Sequence, residues 1–460
     1  MPLTIFDRDK SYCFLQKMNR NMGLKSRFSQ LSTEERNVTD MQTWKDASLS
    51  SLPMEILEHI FCFLQRDDLL QAMSVCTRWK SLISSSPNLW TRQTFILDCD
   101  LRYTKKTKVD VFYCVQNFGP HFRTLSVKCQ HPESHLCITM ADKFNMFLSG
   151  LRAHVLTSFK VFDLQVDNTS RIVIKKINKT LKEIIAMDRH LKVFEMPAAH
   201  WPKRQGRELL NTVLQKSRNT LEILNIKDFF IGKNGSVVEG SDWFSTGLAS
   251  LTNLTKLSIT IYYLTDELVL SLARARRGQL THLSLLTNFI FTNTVQRDSW
   301  DYLWNACPNV AIKLTISGLI FETQEALPYF FEPLELPIRT IKMIVNRDFQ
   351  SPLSSVTGMT VVLDYVRNHY RPSLKTFTLD VNNEKEETFD QALINLVREC
   401  PLLVNVKVLA SFHSGDTAKT IHNVVAERLP TPLTSTGPEN KNVQIEDNAS
   451  RPKHPLEEYW

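Results

Sequence analysis

One pattern recurs along most of this chain and restricts the folds open to it: an apolar residue, two others, an apolar residue, one other, an apolar residue. It occurs as Phe122/Leu125/Val127, Leu156/Phe159/Val161, Leu191/Phe194/Met196, Leu221/Leu224/Ile226, Leu254/Leu257/Ile259, Leu280/Leu283/Leu285, Ala311/Leu314/Ile316, Ile338/Ile341/Met343, Leu374/Phe377/Leu379 and Leu403/Val406/Val408. The ten copies begin 26 to 36 residues apart. Apolar side chains two apart lie on the same side of a strand, so each copy has one sticky edge that only a neighbouring copy can cover. Segments between copies, such as Leu209, Leu210, Val213 and Leu214 or Ala392, Leu393, Leu396 and Val397, carry helical spacing. One strand and one helix per unit follow, stacked in a row.

A doubly wound parallel sheet also alternates strands with helices, but it buries both faces of its strands. Here Thr-Lys-Leu-Ser-Ile-Thr (255 to 260) and Lys-Thr-Phe-Thr-Leu-Asp (375 to 380) keep a polar side. That favours an α/β solenoid with one solvated, concave face. At 460 residues the chain is too long for one ordinary core, whereas an array grows in one dimension. Over about 290 residues the pattern resembles the longer, irregular leucine-rich repeats, although no regular Asn or Cys follows each strand.

The stretch from Leu49 to Phe95 has a different character. Leu52-Pro53 precedes an apolar stripe of Ile56, Leu57, Ile60, Phe61 and Leu64, and proline fits the first turn of a helix. Asp67 or Asp68 can cap a second helix, whose apolar side runs through Leu69, Ala72, Met73, Cys76 and Trp79 until Pro87 ends the helical stretch. Three short helices in under 50 residues show more apolar surface than so small a core can hide, so the surplus should meet a partner.

This segment resembles the F-box family: Leu52-Pro53-x-Glu55-Ile56-Leu57, then Ile60-Phe61, Leu64, Asp68-Leu69-Leu70, Val75-Cys76-x-x-Trp79 and Asn88-Leu89-Trp90 stand in the family's order and spacing. The resemblance implies an all-α three-helix F-box over 48 to 95 that binds the Skp-type adaptor of a cullin-RING (SCF) ubiquitin ligase. It places the adaptor contact on Leu52, Pro53, Ile56, Leu57, Ile60 and Phe61, and gives Val75, Cys76 and Trp79 the task of holding the module together. The repeat body, 96 to 430, then becomes the substrate-binding solenoid. Residues 1 to 47 read as a mobile arm. Residues 431 to 460, with four prolines among polar residues, read as a disordered tail.

Positions between the buried strand residues should project from the concave face. They include Lys128, Lys160, Lys227, Lys256, Lys313, Lys342 and Lys407, with His282, against only Glu195 and Asp380. Such a face suits an acidic or phosphorylated protein substrate. The alternative function is a basic repeat protein that holds RNA or another acidic partner outside a ligase.

Chemistry of other kinds is poorly served. Only 13 glycines occur, well below the usual ~7%, and phosphate-cradling loops depend on them. Lys and Arg (55) nearly balance Asp and Glu (48), so no overall field announces nucleic acid. The basic runs 105–108 and 274–277 lack an aromatic platform. Cys129, His131, His135 and Cys137 match no common zinc spacing, and no group is assigned as catalytic. No metal or cofactor is expected, and the chain is read as a non-catalytic receptor. Nine scattered cysteines read as reduced thiols, and Asp7 to Lys10 interrupt any signal peptide. With no 18-residue apolar run, a cytoplasmic and/or nuclear protein with no membrane partner is expected.

Overall fold

The structure, a computed structural model, describes residues 52–98, 105–130, 138–151, 155–166, 169–187, 190–231, 242–275, 278–287, 295–317, 338–345, 357–381, 389–428 and 443–447. The arm at 1–47 lies outside these residues, as do His131, His135 and Cys137. Three short helices come first: α1 (Met54–Phe61), α2 (Arg66–Ala72) and α3 (Thr77–Ser85), closed by a 3-10 turn over Pro87–Trp90.

Twelve parallel strands then form one sheet whose spatial order is its sequence order. They are β1 (Arg92–Asp98), β2 (Thr124–Gln130), β3 (Ser158–Phe162), β4 (Val193–Glu195), β5 (Ile223–Ile226), β6 (Lys256–Thr260), β7 (His282–Thr287), β8 (Ala311–Ser317), β9 (Ile338–Val345), β10 (Thr376–Val381), β11 (Asn405–Ala410) and β12 (Val443–Asp447). Strictly sequential order excludes a doubly wound sheet, whose order must reverse at a switch point. Burial alternates along strands such as β5 and β10, so one face packs on helices and the other stays open. The body is an α/β solenoid of leucine-rich-repeat type.

Nine of the ten apolar triplets supply buried positions of the strands as the pattern predicts, among them Leu125 and Val127, Leu257 and Ile259, and Leu379. In the Ala311 triplet Leu314 and Ile316 are buried as predicted and only Ala311 is not, because the copy is displaced relative to β7. Ile312, not Leu314, stands level with Leu283, and Ala311 stands beside His282 on the open face. A β-bulge between Ile312 and Lys313 then restores the register with β9, so that Leu314 meets Ile341. One inserted residue shifts facing by one position.

The sheet also reaches beyond both expected ends of the repeat body. β1 begins at Arg92, so the sheet starts inside the segment assigned to the helical module, and Phe95 is a buried strand residue. At the other end Val443–Asp447 pairs along β11. Those five residues, placed by composition in a disordered tail, continue the sheet because the exposed edge of β11 offers unpaired backbone groups.

Side chains stitch successive repeats. Thr157, Thr255 and Thr281, each two residues ahead of a buried strand position, donate from Oγ1 at 3.1 Å to the carbonyls of Arg123, Glu222 and Thr255 in the preceding unit. Asp390 accepts from Ser414 N at 3.1 Å and Thr417 Oγ1 at 2.6 Å, tying one helix start to the next. Arg428 closes the last helical unit: Nη1 donates to the carbonyls of Cys400 (2.8 Å) and Leu403 (3.1 Å), and Nη2 to those of Val397 (2.6 Å) and Arg398 (2.7 Å). These carbonyls lie at and beyond a helix C-terminus, where intrahelical donors run out. Arg428→Ala is expected to lower stability by about 2–3 kcal/mol, since bonds to a charged donor are stronger than neutral ones. Chemical denaturation followed by far-UV circular dichroism checks this, and Arg428→Lys should recover only part because one ammonium cannot fork over four acceptors.

Candidate functional site

The first candidate site is the outer face of α1. Leu57 is 0% and Phe61 1% exposed, the latter with its ring edge-on to Trp79 at 5.1 Å. Both face the module's own core. Pro53 is exposed, Ile56 is 49% exposed, and Leu52 and Ile60 are partly buried. Phe63, 65% exposed, was absent from the predicted contact set. Pro53, Ile56, Ile60 and Phe63 stand at i, i+3, i+7 and i+10, one stripe of the helix and its C-terminal turn. That spacing was available in the sequence as the signal for Phe63.

The stripe is held rigidly. Arg78 Nη2 donates to the Leu52 carbonyl at 2.5 Å, fixing the chain just ahead of α1. The Glu58 carboxylate accepts from Asn88 Nδ2 at 3.0 Å and from the Ser86 hydroxyl, so the 3-10 turn is bound to the back of α1. Cys76 caps α3, its Sγ accepting from Trp79 N at 3.5 Å; Trp79 is buried, and Val75 and Cys76 pack partly buried on the core.

This module is continuous with the repeats. Trp90 is fully buried, stacks on Phe118 with centroids 3.7 Å apart and 4° between planes, and donates from Nε1 to the Ile83 carbonyl at 2.8 Å. Arg66 donates to the Thr94 carbonyl at 3.2 Å while its guanidinium lies 4.9 Å over the Phe95 ring.

The second candidate is the open sheet face. The seven predicted lysines do not form one uniform surface. Lys160 is paired with Glu195 at 2.8 Å. Lys256 lies beside His282, whose pKa falls through burial and that neighbouring charge. Lys128 and Lys407 stand on β2 and β11, near opposite ends of the sheet. Burial first, then the fields of the Lys313 and Lys342 ammoniums, pull Lys227 down to about 8, while Glu195 opposes the shift.

The backbone around Lys227 is strained in a localised way. Asp163, Gln165, Ala198, His200 and Asp228 all have positive φ, between 43° and 58°, and all follow β3, β4 or β5. Each costs free energy that surrounding contacts must offset. A second ladder beyond the strands does so, with Ala198 N donating to the Lys227 carbonyl at 2.8 Å and Trp201 N to that of Phe229 at 2.6 Å. His200 and Asp228 meet at 3.1 Å.

Cys129 is buried in β2 and so turned toward the helices. No described helix is long and apolar enough to cross a membrane.

Residues 49–96 match a family model described as F-box-like. Over 96% of its length the chain is similar, at 15% sequence identity and a TM-score of 0.39, to 98% of a chain in the crystal structure of the Rad7 and Elc1 complex in yeast.

Proposed function

Residues 49–96 being an F-box-like domain, we propose that this chain is the substrate-recognition subunit of an SCF-type E3 ubiquitin ligase, its helical module holding a Skp-type adaptor and its solenoid holding the substrate. One observation carries the reading: a stripe in which Pro53, Ile56 and Phe63 are exposed and Ile60 is partly so, on a helix whose other side is a packed core. Apolar surface gathered in one stripe on a rigid helix is suited to a partner groove.

In this reading no side chain of the receptor makes or breaks a bond, as is general for F-box proteins. Its contribution is geometric. The Trp90–Phe118 stack and the Arg66 contacts weld adaptor-binding helices to the first repeat. A substrate on the sheet is then held at a set displacement from the ligase, which raises the effective concentration of its lysines near the ubiquitin donor. The reading places the protein in the cytoplasm and/or nucleus.

The test is co-purification with a Skp-type adaptor. Wild type should retain it; Leu52→Ala with Pro53→Ala, or Ile56→Asp with Phe63→Asp, should lose it while thermal melting stays close to wild type. Ile56 and Phe63 are exposed enough that their replacement leaves the core intact. Adaptor retention by both double variants defeats the proposal.

A further inference from the structure

We propose that the helical side of the solenoid carries a docking surface for an anionic lipid bilayer, centred on the helix Arg171–Met187 and continued by the helix Lys203–Lys216. Neither helix belongs to the adaptor-binding module, so this surface stands apart from the receptor reading above.

Charge is concentrated there. The two helices carry nine Lys and Arg against two Glu, an excess equal to the +7 of the whole chain, so the remainder is balanced overall. They lie side by side, with Lys182 reaching Glu208 at 3.1 Å and Arg204 reaching the same carboxylate at 3.4 Å. The other acidic group on them, Glu183, faces Lys179 at 3.9 Å. Arg171, Lys175 and Lys176 are exposed and have no ion-pair partner among the described residues. Helix energetics does not account for this placement. Other helices here carry acid in the first turn, as at Glu55, Asp266 and Asp390, which offsets the positive end of the helix dipole. These two begin instead with Arg171 and with Lys203 and Arg204, adding cations to that end.

An apolar element runs through the charge. Ile172, Lys176, Lys179, Glu183 and Met187 stand at i, i+4, i+7, i+11 and i+15, the outer crest of the helix, and all five are exposed. Ile172 is 79% exposed, more than any other exposed large hydrophobic side chain described. Met187 stands about 22 Å further along the crest. Met146, on the neighbouring helix Ile138–Gly150, follows Asn145, whose Oδ1 accepts from Thr180 Oγ1 at 3.1 Å, so a third exposed apolar side chain lies beside the middle of the crest.

Apolar side chains that protrude separately among ammoniums suit a fluid surface, which each can enter alone while the long Lys stems keep their charges at the headgroups. A folded protein partner would need three matched hollows. Single-stranded nucleic acid would want aromatic platforms, and no exposed Phe, Tyr or Trp is described on these three helices. Attachment of this kind needs no spanning helix. Because helices cover one face of the sheet only, a bilayer against them leaves the open face turned away and free for a protein.

Flotation of the full chain with lipid vesicles tests this. Wild type should rise with vesicles of phosphatidylcholine and phosphatidylserine and stay behind with phosphatidylcholine alone. Raising salt from about 0.15 M to about 1 M, which shortens the screening length from ~8 to ~3 Å, should release it. Lys175→Glu with Lys176→Glu should weaken partition about tenfold or more, since each cation beside an anionic surface adds to binding. Ile172→Gln leaves every charge in place and should weaken it about threefold. Melting temperatures should stay near wild type, because these positions are exposed. Lys256→Glu with Lys313→Glu makes the same change in net charge at exposed positions of the open face and should float as wild type does. Ile56→Asp with Phe63→Asp should also float normally, which separates this surface from the stripe on α1. Failure to float with the mixed vesicles, equal flotation with neutral ones, or wild-type partition by the Lys175/Lys176 or Ile172 variants overturns the proposal. So does an equal loss from the open-face or α1 variants, or displacement by polyglutamate or duplex RNA at equal anionic charge.

Discussion

Trp90→Ala should lower the stability of the first repeat and the helical module together by about 3–5 kcal/mol, the range for emptying a fully buried aromatic site. Three losses coincide in that change. The indole leaves a cavity in a core that runs without interruption from Leu57 and Phe61 to Phe95 and Phe118. The stack on Phe118 disappears. The Ile83 carbonyl near the end of α3 loses its donor. Differential scanning calorimetry should show an early transition split from that of the distal repeats, since each unit of a solenoid is stabilised chiefly by its neighbours. Limited proteolysis should cut first near residue 91. Trp90→Phe, which keeps a ring but not the hydrogen bond, should cost less than half as much. A single unshifted transition for Trp90→Ala would mean that the two parts are not welded there.

A second large effect is expected at Gly206, and its sign opposes helix propensity. Gly206 lies in the helix Lys203–Lys216, where Ala is ordinarily better than Gly by about 1 kcal/mol. A Cβ here would come 2.6 and 2.8 Å from Phe230 ring carbons and 2.9 Å from Trp201 Cβ. Trp201 and Phe230 are themselves bridged in parallel beyond β4 and β5, and both are buried. Neither partner has room to retreat. Gly206→Ala should therefore destabilise, and Gly206→Val should do so by about 3 kcal/mol, as overpacking strains both the helix and the ladder beneath it. Equilibrium urea unfolding measures the effect, and an increase in stability for Gly206→Ala would show that the loop yields after all.

The architecture was legible because it is written in a short-range code. Leu257 and Ile259, or Phe377 and Leu379, alternate with polar residues, and strand geometry alone sends them to one face. The same holds for the stripe on α1, where Pro53, Ile56 and Ile60 lie at helical spacing. What the sequence left open depends on residues distant in the chain. Leu57 and Phe61 look as suited to a partner as Ile56 does, and only packing of α3, with Trp79 under α1, turned them inward. In the Ala311 copy Leu314 and Ile316 are buried as the pattern predicts, but the register shift beside Ile312, where Arg339 of β9 is the extra residue, depends on what β9 presents. Val443–Asp447 looked unfoldable alone and is ordered by the edge of β11.

By itself, then, the order of residues settled which segments are strands and helices, that they stack as a solenoid, and that a helical module precedes them. Those properties follow from periodicities of two and 3.6, which need no knowledge of distant residues. Tertiary structure alone decided which apolar side chains of α1 stay exposed and which are buried, and which lysine of the open face lies deepest. Burial and charge proximity are sums over neighbours far apart in the chain, and no local pattern contains them.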